Sequence, residues 1–294
     1  RRQRQMCIRD SPHVVDERIE KFGLAIRAGR DFELLNPADY HRHNDYVASL
    51  LDLCGRKGVT PTAARAMLRA SMTAIGAMAV RSGDADAMLC GLEARFDASA
   101  KILRDIIGFG PDVHEYAALS LIISQRGAYF LADTHVRSNP TADEIADMTT
   151  HCIDHIRRFG LEPKVALLSH SDFGGADTQS AIKMRQALGL IQARNPHVEV
   201  DGEMAADTAL VQAIRDQMLP QSSLKGEANL LVMPNLDAAN ISFQLLKVVA
   251  DALPVGPILI GTAYPAHILT PSVTARGIVN MTAIAVAEAQ ACAK

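Results

Sequence analysis

The stretch VALLSHSDFGGADTQSAIKM, Val165 to Met184, gathers the side chains best suited to holding an acidic group. An apolar run ends at Leu168. Ser169, His170, Ser171 and Asp172 follow, then the pair Gly174 and Gly175, then a helix-like segment. A strand that empties into hydroxyls and glycines ahead of a helix offers O–H and N–H donors and a positive dipole end, which together cradle an anion. The glycines let the backbone approach a ligand closely. A second candidate is MPNLDAANISFQLLK, Met233 to Lys247. It reads as a strand, a turn at Pro234 and Asn235, Asp237 as the expected N-cap, and a helix. Asn240 then falls in the first turn, where its amide points back across the strand ends; ordinary capping accounts for the same residues.

Other groupings carry less. Asp172-Phe173-Gly174 has the letters of a kinase metal-binding turn, but no catalytic loop precedes it and the lysine of AIK, Lys183, comes after it. Ser169, His170 and Asp172 have the letters of a hydrolase triad, yet near-neighbours on one turn do not converge as a triad must. His151 and His155 sit one helical turn apart without the glutamate of a zinc-protease motif, so a packed or solvated helix face is the plainer account. Gly108-Phe109-Gly110 lacks the third glycine of a dinucleotide fingerprint, and no convincing strand precedes it.

The elements that position these groups are legible in outline. Asn36-Pro37 and Thr60-Pro61 each pair a capping side chain with proline at the first helical position. They open helices over 37–54 and 61–82, the second closed by Gly83. Asn139-Pro140-Thr141 opens another that runs to Phe159 and stops at Gly160. Helical patterns also cover 177–193, 206–218, 237–252 and 277–292. Between them lie the apolar runs AMLCGL, AYFLAD, KVALLS, VEVDGE, NLLVMPN and PILIGT. Alternation of buried strands with helices reads as α/β with a mainly parallel sheet. The strand candidates end at Asp133-Thr134, Ser169 to Asp172, Asp201 to Glu203, Pro234-Asn235 and Gly261-Thr262. Open α/β sheets bind ligands at that edge.

Bulk properties narrow the partners. At 294 residues the chain exceeds one compact core, and 48% hydrophobic with 21% charged residues is ordinary for a globular protein. A net charge of −3 gives no basic field for nucleic acid. No apolar run is long enough to span a bilayer, so no membrane partner is expected. The five cysteines, Cys7, Cys54, Cys90, Cys152 and Cys292, are scattered and odd in number, which suits free thiols in a reducing cytoplasm. Residues 1–11, RRQRQMCIRDS, are basic and aperiodic and read as a non-native end.

Taken in order, VALLSHSDFGG, AIKMRQAL, VEVDGEMAADTAL, ANLLVMPNLDAANISFQLLK, VGPILIGTAYPAHILTPS and ARGIVNMTA resemble the phosphate acetyltransferase/butyryltransferase domain. In particular they resemble the version fused to the C-terminus of NADP-dependent malic enzymes. DFELLNP, GVTPTAARAML, DADAMLCGLEARF and FLADTHVRSNPTADEIAD extend the likeness to essentially everything after Ser11. The resemblance implies two α/β lobes with a cleft between them: 12–113 plus 266–294 as lobe one, without its opening strand–helix–strand unit, and 114–265 as lobe two. It implies that NADP and a divalent metal belong to a malic-enzyme half outside this chain. It further implies acetyl-CoA as an effector and assembly into a homo-oligomer.

One departure from the family pattern bears on catalysis. Active members carry a Ser-Arg pair and then an Asp in a segment like LSRGxSxxD. Anchored on IVN, this chain has Thr270 and Pro271 at the pair and Gly277 at the Asp. Proline holds no phosphate and glycine takes no proton, whereas acyl transfer needs anion stabilisation and a base. The expectation is therefore a domain with no catalytic residues. It binds acyl-CoA through Ser169, Ser171, Asp172, Gly174, Gly175, Asn235, Asp237 and Asn240, with Thr270, Ser272 and Arg276 closing the far wall. A working acyltransferase with rearranged groups and a purely structural assembly domain are the alternatives.

Overall fold

A computed structural model describes residues 12–35, 40–92 and 94–292, with side chains from residue 15 onward. In chain order the elements are α1 (Pro12–Lys21), α2 (His43–Cys54), α3 (Pro61–Ala70), α4 (Met72–Arg81), β1 (Met88–Cys90) and α5 (Phe96–Ile106). Then come β2 (Ala117–Ile123), β3 (Ala128–Ala132), α6 (Ala142–Arg158), β4 (Lys164–Leu168), α7 (Gln179–Arg194) and β5 (Glu199–Met204). The chain continues with α8 (Ala206–Leu210), α9 (Gln212–Met218), β6 (Leu230–Val232) and α10 (Leu236–Val249). It closes with β7 (Leu253–Ile260), β8 (Ala266–Ile268) and α11 (Ala275–Cys292). The basic end 1–11 and the Asn36-Pro37 cap lie outside the described residues.

Contacts divide the chain into two compact units. Of the described residues, unit 1 takes those up to Gly108 with Thr262–Pro271 and those from Thr282 on; unit 2 takes Phe109–Gly261 with Ser272–Met281. In unit 1, α4 is buried along its length from Ala74 to Val80, and β1 pairs in parallel with β8. Thr60 caps α3 as its sequence requires, accepting from the Ala63 amide at 3.2 Å. The single helix expected over 61–82 breaks at Ser71. Its backbone is extended and its hydroxyl caps α4 instead, because a serine competes for backbone donors. The expected helix over 206–218 breaks likewise at Val211, which is extended.

Unit 2 holds a six-stranded sheet in the order β5-β4-β6-β3-β2-β7. Strands β5, β4, β6 and β3 run parallel, and β2 runs antiparallel to both β3 and β7. The sheet is mainly parallel, as expected, with one antiparallel strand: β2, absent from the sequence-based strands, turns into β3 through a tight hairpin between Ser124 and Gly127. One face packs Leu131, Ala166, Leu168 and Leu231 against Ala239 and Phe243 of α10 and Ala209 of α8. Helices α6 and α7 pack against the parallel strands, burying Ile145, Met148, Ile153, Met184 and Ile191. Thr141 and Glu144 form a capping box that starts α6, worth about 1 kcal/mol.

The β5 edge is closed by the following loop. Ser223 Oγ donates to Val200 O, and Ser222 Oγ donates to Asp201 Oδ2 at 2.6 Å. The fully buried Arg215 fixes that loop by donating to four carbonyls, those of Thr208, Ala209, Leu224 and Gly226.

Candidate functional site

Because β2 reverses twice, β7 runs in the same direction as β3, β4, β5 and β6. Five carboxyl ends therefore share one edge of the unit 2 sheet, where α/β ligands bind. Asp201 to Glu203 do not follow β5 as expected; they lie within it, since the strand continues to Met204. That shift places the Glu203 side chain, fully buried, beneath the turn that leaves β4.

The β4–α7 turn is built around this carboxylate. Glu203 Oε1 accepts from Ser171 Oγ at 2.9 Å, from the Gly174 amide at 3.1 Å and from Arg185 Nη1 at 2.8 Å. The Ala176 amide donates to Ser171 Oγ, and the Phe173 amide to Glu203 O. Asp172 Oδ1 accepts from the Ala205 amide at 2.8 Å, and the Gly175 amide closes the turn onto Asp172 O. Arg185 also reaches Ala176 O and Asp177. The expected anion cradle thus already contains an anion of the protein's own. The Ser171 proton and the Gly174 N–H are committed to Glu203, so both hold the turn in shape.

Two polar atoms in this neighbourhood have no hydrogen-bond partner: Ser169 Oγ and Glu203 Oε2, both buried. His170 is exposed. Gly174 has φ +89° with open space around its missing side chain, so it is required for conformation. Gly175 sits close under Asp172 O, 3.1 Å from where a Cβ would be. Helix α7 begins only at Gln179, capped by Thr178, so three residues separate the glycine pair from the helix N-terminus.

The turn after β3 is wired as densely. The buried Asp133 carboxylate accepts the amides of Ala118, His135, Val136 and Arg137 at 2.8–3.1 Å. Burial raises its pKa, and those four amides oppose the rise. Arg137 donates to three carbonyls, of Tyr116, Glu144 and Glu115. Thr134 Oγ1 links Ser120 Oγ at 2.7 Å to His135 Nδ1 at 2.9 Å. Burial pushes the His135 imidazole down to about 4, so it stays neutral. His135, Arg137 and Arg185 lie in segments that carry the family resemblance, yet none was singled out by the sequence as a site residue.

At the start of α10 the N-cap is Asn235, whose Oδ1 accepts the Ala238 amide at 2.9 Å. Asp237, the expected cap, is an exposed first-turn residue; Asn235 is already extended as it leaves β6 and reaches the amide first. Asn240 does point back across the strand ends, donating to Thr134 O at 3.0 Å. Lys183 Nζ ties α7 to the same edge through Asn139 Oδ1 and Pro234 O.

In the β8–α11 segment, Thr270 is half-buried, and Ser272 and Arg276 are exposed. Thr270 belongs to unit 1, the other two to unit 2. Thr274 caps α11 by accepting the Gly277 amide at 3.1 Å. Gly277 is buried, and a Cβ there would lie 2.8 Å from Val273 Cγ2. Among the described residues no group of three His, Cys, Asp or Glu could hold a metal ion. No helix among them is long and apolar enough to cross a membrane. His151 and His155 both lie on α6, with His155 buried against the Phe159 ring.

Comparison with known proteins agrees with this fold. A family model for phosphate acetyl/butaryl transferase matches residues 10–286. The chain is 51% identical over 277 residues to an NAD-dependent malic enzyme of Rhizobium meliloti (strain 1021), covering 94% of the chain and 36% of that enzyme. It is 46% identical over 280 residues to an NADP-dependent malic enzyme of Escherichia coli (strain K12), covering 95% of the chain and 37% of that enzyme. The chain therefore spans about a third of the length of these curated relatives. A phosphotransacetylase structure from Streptococcus pyogenes superposes with a TM-score of 0.87 at 27% identity, over 96% of this chain and 85% of that one.

Proposed function

The chain belongs to the phosphate acetyl/butaryl transferase family, and from that membership we propose that it is the acyltransferase-like part of a malic enzyme, binding acetyl-CoA without transferring its acyl group. The malic-enzyme relatives extend well beyond the matched region. In this reading the oxidative decarboxylation of malate to pyruvate, with its nicotinamide and divalent metal, is carried by the rest of the protein. This part responds to acetyl-CoA and joins copies together.

The observation that carries the reading is position 277. The resemblance puts a catalytic Asp there and an anion-binding Arg at position 271; the chain has Gly277 and Pro271. Val273 Cγ2 fills the place a side chain at 277 would start from. Without a base and a cation, acyl transfer loses on the order of two to three powers of ten for each. What stays available is the carboxyl edge of the unit 2 sheet. Ser169 Oγ at that edge is buried without a partner of its own, so its proton is uncommitted and can be donated to an acyl or phosphate oxygen once a ligand reaches it.

Two assays test this. Acetyl phosphate formation from acetyl-CoA and phosphate should stay at background with the 294-residue chain. Acetyl-CoA added to the full-length enzyme should change its rate of malate oxidation. Turnover typical of a phosphate acetyltransferase, or a malate rate indifferent to acetyl-CoA, would overturn the proposal.

A further inference from the structure

Lys183 lies on α7, half-buried, where the helix passes the carboxyl edge of the unit 2 sheet. Its Nζ donates to Asn139 Oδ1 at 2.8 Å, in the turn between β3 and α6. It also donates to Pro234 O at 2.7 Å, in the turn between β6 and α10. Both acceptors are neutral, whereas Lys57 faces Asp105 at 3.4 Å and Lys164 faces Glu199 at 3.9 Å. An ammonium has three donors, one more than these two acceptors use. A neutral amine has two N–H donors and a lone pair. The two acceptors take up both donors and leave the lone pair directed away from them. Burial disfavours the ammonium and lowers its pKa, against the pull of Glu144. A desolvated lysine amine is an activated nucleophile.

We infer that Lys183 is an acylation site, whose amine takes the acetyl group of an acetyl-CoA bound at this edge. The inference rests on the proposed acetyl-CoA site, for Ser169 and Lys183 stand at either end of the stretch that leads from β4 into α7. The lone pair attacks the thioester carbonyl carbon. A C–N bond forms, the C–S bond breaks, and the proton shed by nitrogen goes to the departing thiolate. The products are Nε-acetyl-lysine and free CoA. Each chain reacts once, so no acetyl phosphate forms and no turnover follows. The acetylated nitrogen keeps a single N–H, so either Asn139 Oδ1 or Pro234 O loses its donor. One of the two ties that hold α7 to the edge is thereby released.

The test incubates the 294-residue chain with acetyl-CoA at mildly alkaline pH and follows acetylation at each lysine by peptide mass spectrometry. Lys183 should react at least about a hundredfold faster than the exposed Lys57 and Lys101, a small part of what holding two reactants together can supply. Its rate should saturate with acetyl-CoA and fall when excess free CoA is added. S-acetyl-N-acetylcysteamine, which has the thioester without the nucleotide, should not reproduce the preference. Equal rates at the three lysines overturn the inference, and so does a fast Lys183 that the short thioester acetylates equally well. Calorimetry on the same sample reads acetyl-CoA binding separately. Saturable heat without a preference for Lys183 removes the acylation and leaves the proposed acetyl-CoA site standing; no saturable heat removes both.

Discussion

The β4–α7 turn and the β8–α11 turn each lead a strand into a helix, and they are built from opposite materials. In the first, a buried carboxylate gathers a hydroxyl, an amide and a guanidinium, so that Ser171, Gly174 and Arg185 all converge on Glu203 Oε1. In the second, the sequence offers Pro271 and Gly277, and a valine methyl occupies the space beside the glycine. Polar groups persist where they hold a backbone in shape. Where the resemblance implies that polar groups would serve only chemistry, the chain has apolar packing.

The largest test of this contrast is Glu203→Ala. It removes the common acceptor of three donors and leaves Arg185 only Ala176 O and the exposed Asp177. Arg185 is 30% exposed and can rehydrate, so the loss should be about 3 kcal/mol, the low end for opening a buried pair. Urea unfolding measures it. A loss below about 1 kcal/mol, the range of an exposed pair, would mean that the turn is ordered by something other than its carboxylate.

Next come two glycine substitutions that should fail for different reasons. Gly174→Val meets open space but adopts φ +89°, so backbone strain of about 1–2 kcal/mol is expected. Gly277→Asp has an ordinary backbone and a crowded Cβ, with a similar cost of about 1–3 kcal/mol from overpacking. Val273→Ala should relieve the second. In a double-mutant cycle, Gly277→Asp with Val273→Ala is expected to be less destabilised than the sum of the single changes. Strict additivity would show that Val273 does not limit position 277.

The smallest effect separates two serines two residues apart. Ser171→Ala loses a bond to Glu203 and one from Ala176 and should cost about 1 kcal/mol of stability. Ser169→Ala deletes a hydroxyl with no partner and should leave the unfolding midpoint nearly unchanged. It should weaken acetyl-CoA binding roughly two- to tenfold, the worth of one neutral hydrogen bond. The reverse pattern, with Ser169 the structural residue, would erase the distinction between the wired atoms and the available one.

Much of the architecture was legible because the parallel strands are short apolar runs bounded by turn residues, and because Thr60, Thr141 and Gly83 punctuate their helices. Strand β2 was missed although AALSLII is a short apolar run of the same kind; periodicity does not separate such a run from a buried helix segment, and its two alanines favour helix. Its pairing depends on β3 and β7, not on itself. Ser71 was hidden inside a continuous helical pattern. At the candidate site, the Ser171–Glu203 bond joins residues 32 apart in sequence, and no local pattern reveals a carboxylate that reaches back under another strand's turn. Asn235 and Asp237 are equally good caps by type, and only the extended backbone leaving β6 chooses between them.

The central claim is binding without turnover, and isothermal titration calorimetry of the 294-residue chain with acetyl-CoA in phosphate buffer reads both at once. A saturable isotherm in which the thermal power returns to baseline after every injection is the predicted result. No saturable heat would deny binding, and a sustained power that scales with protein concentration would reveal continuing acyl transfer; either contradicts the account.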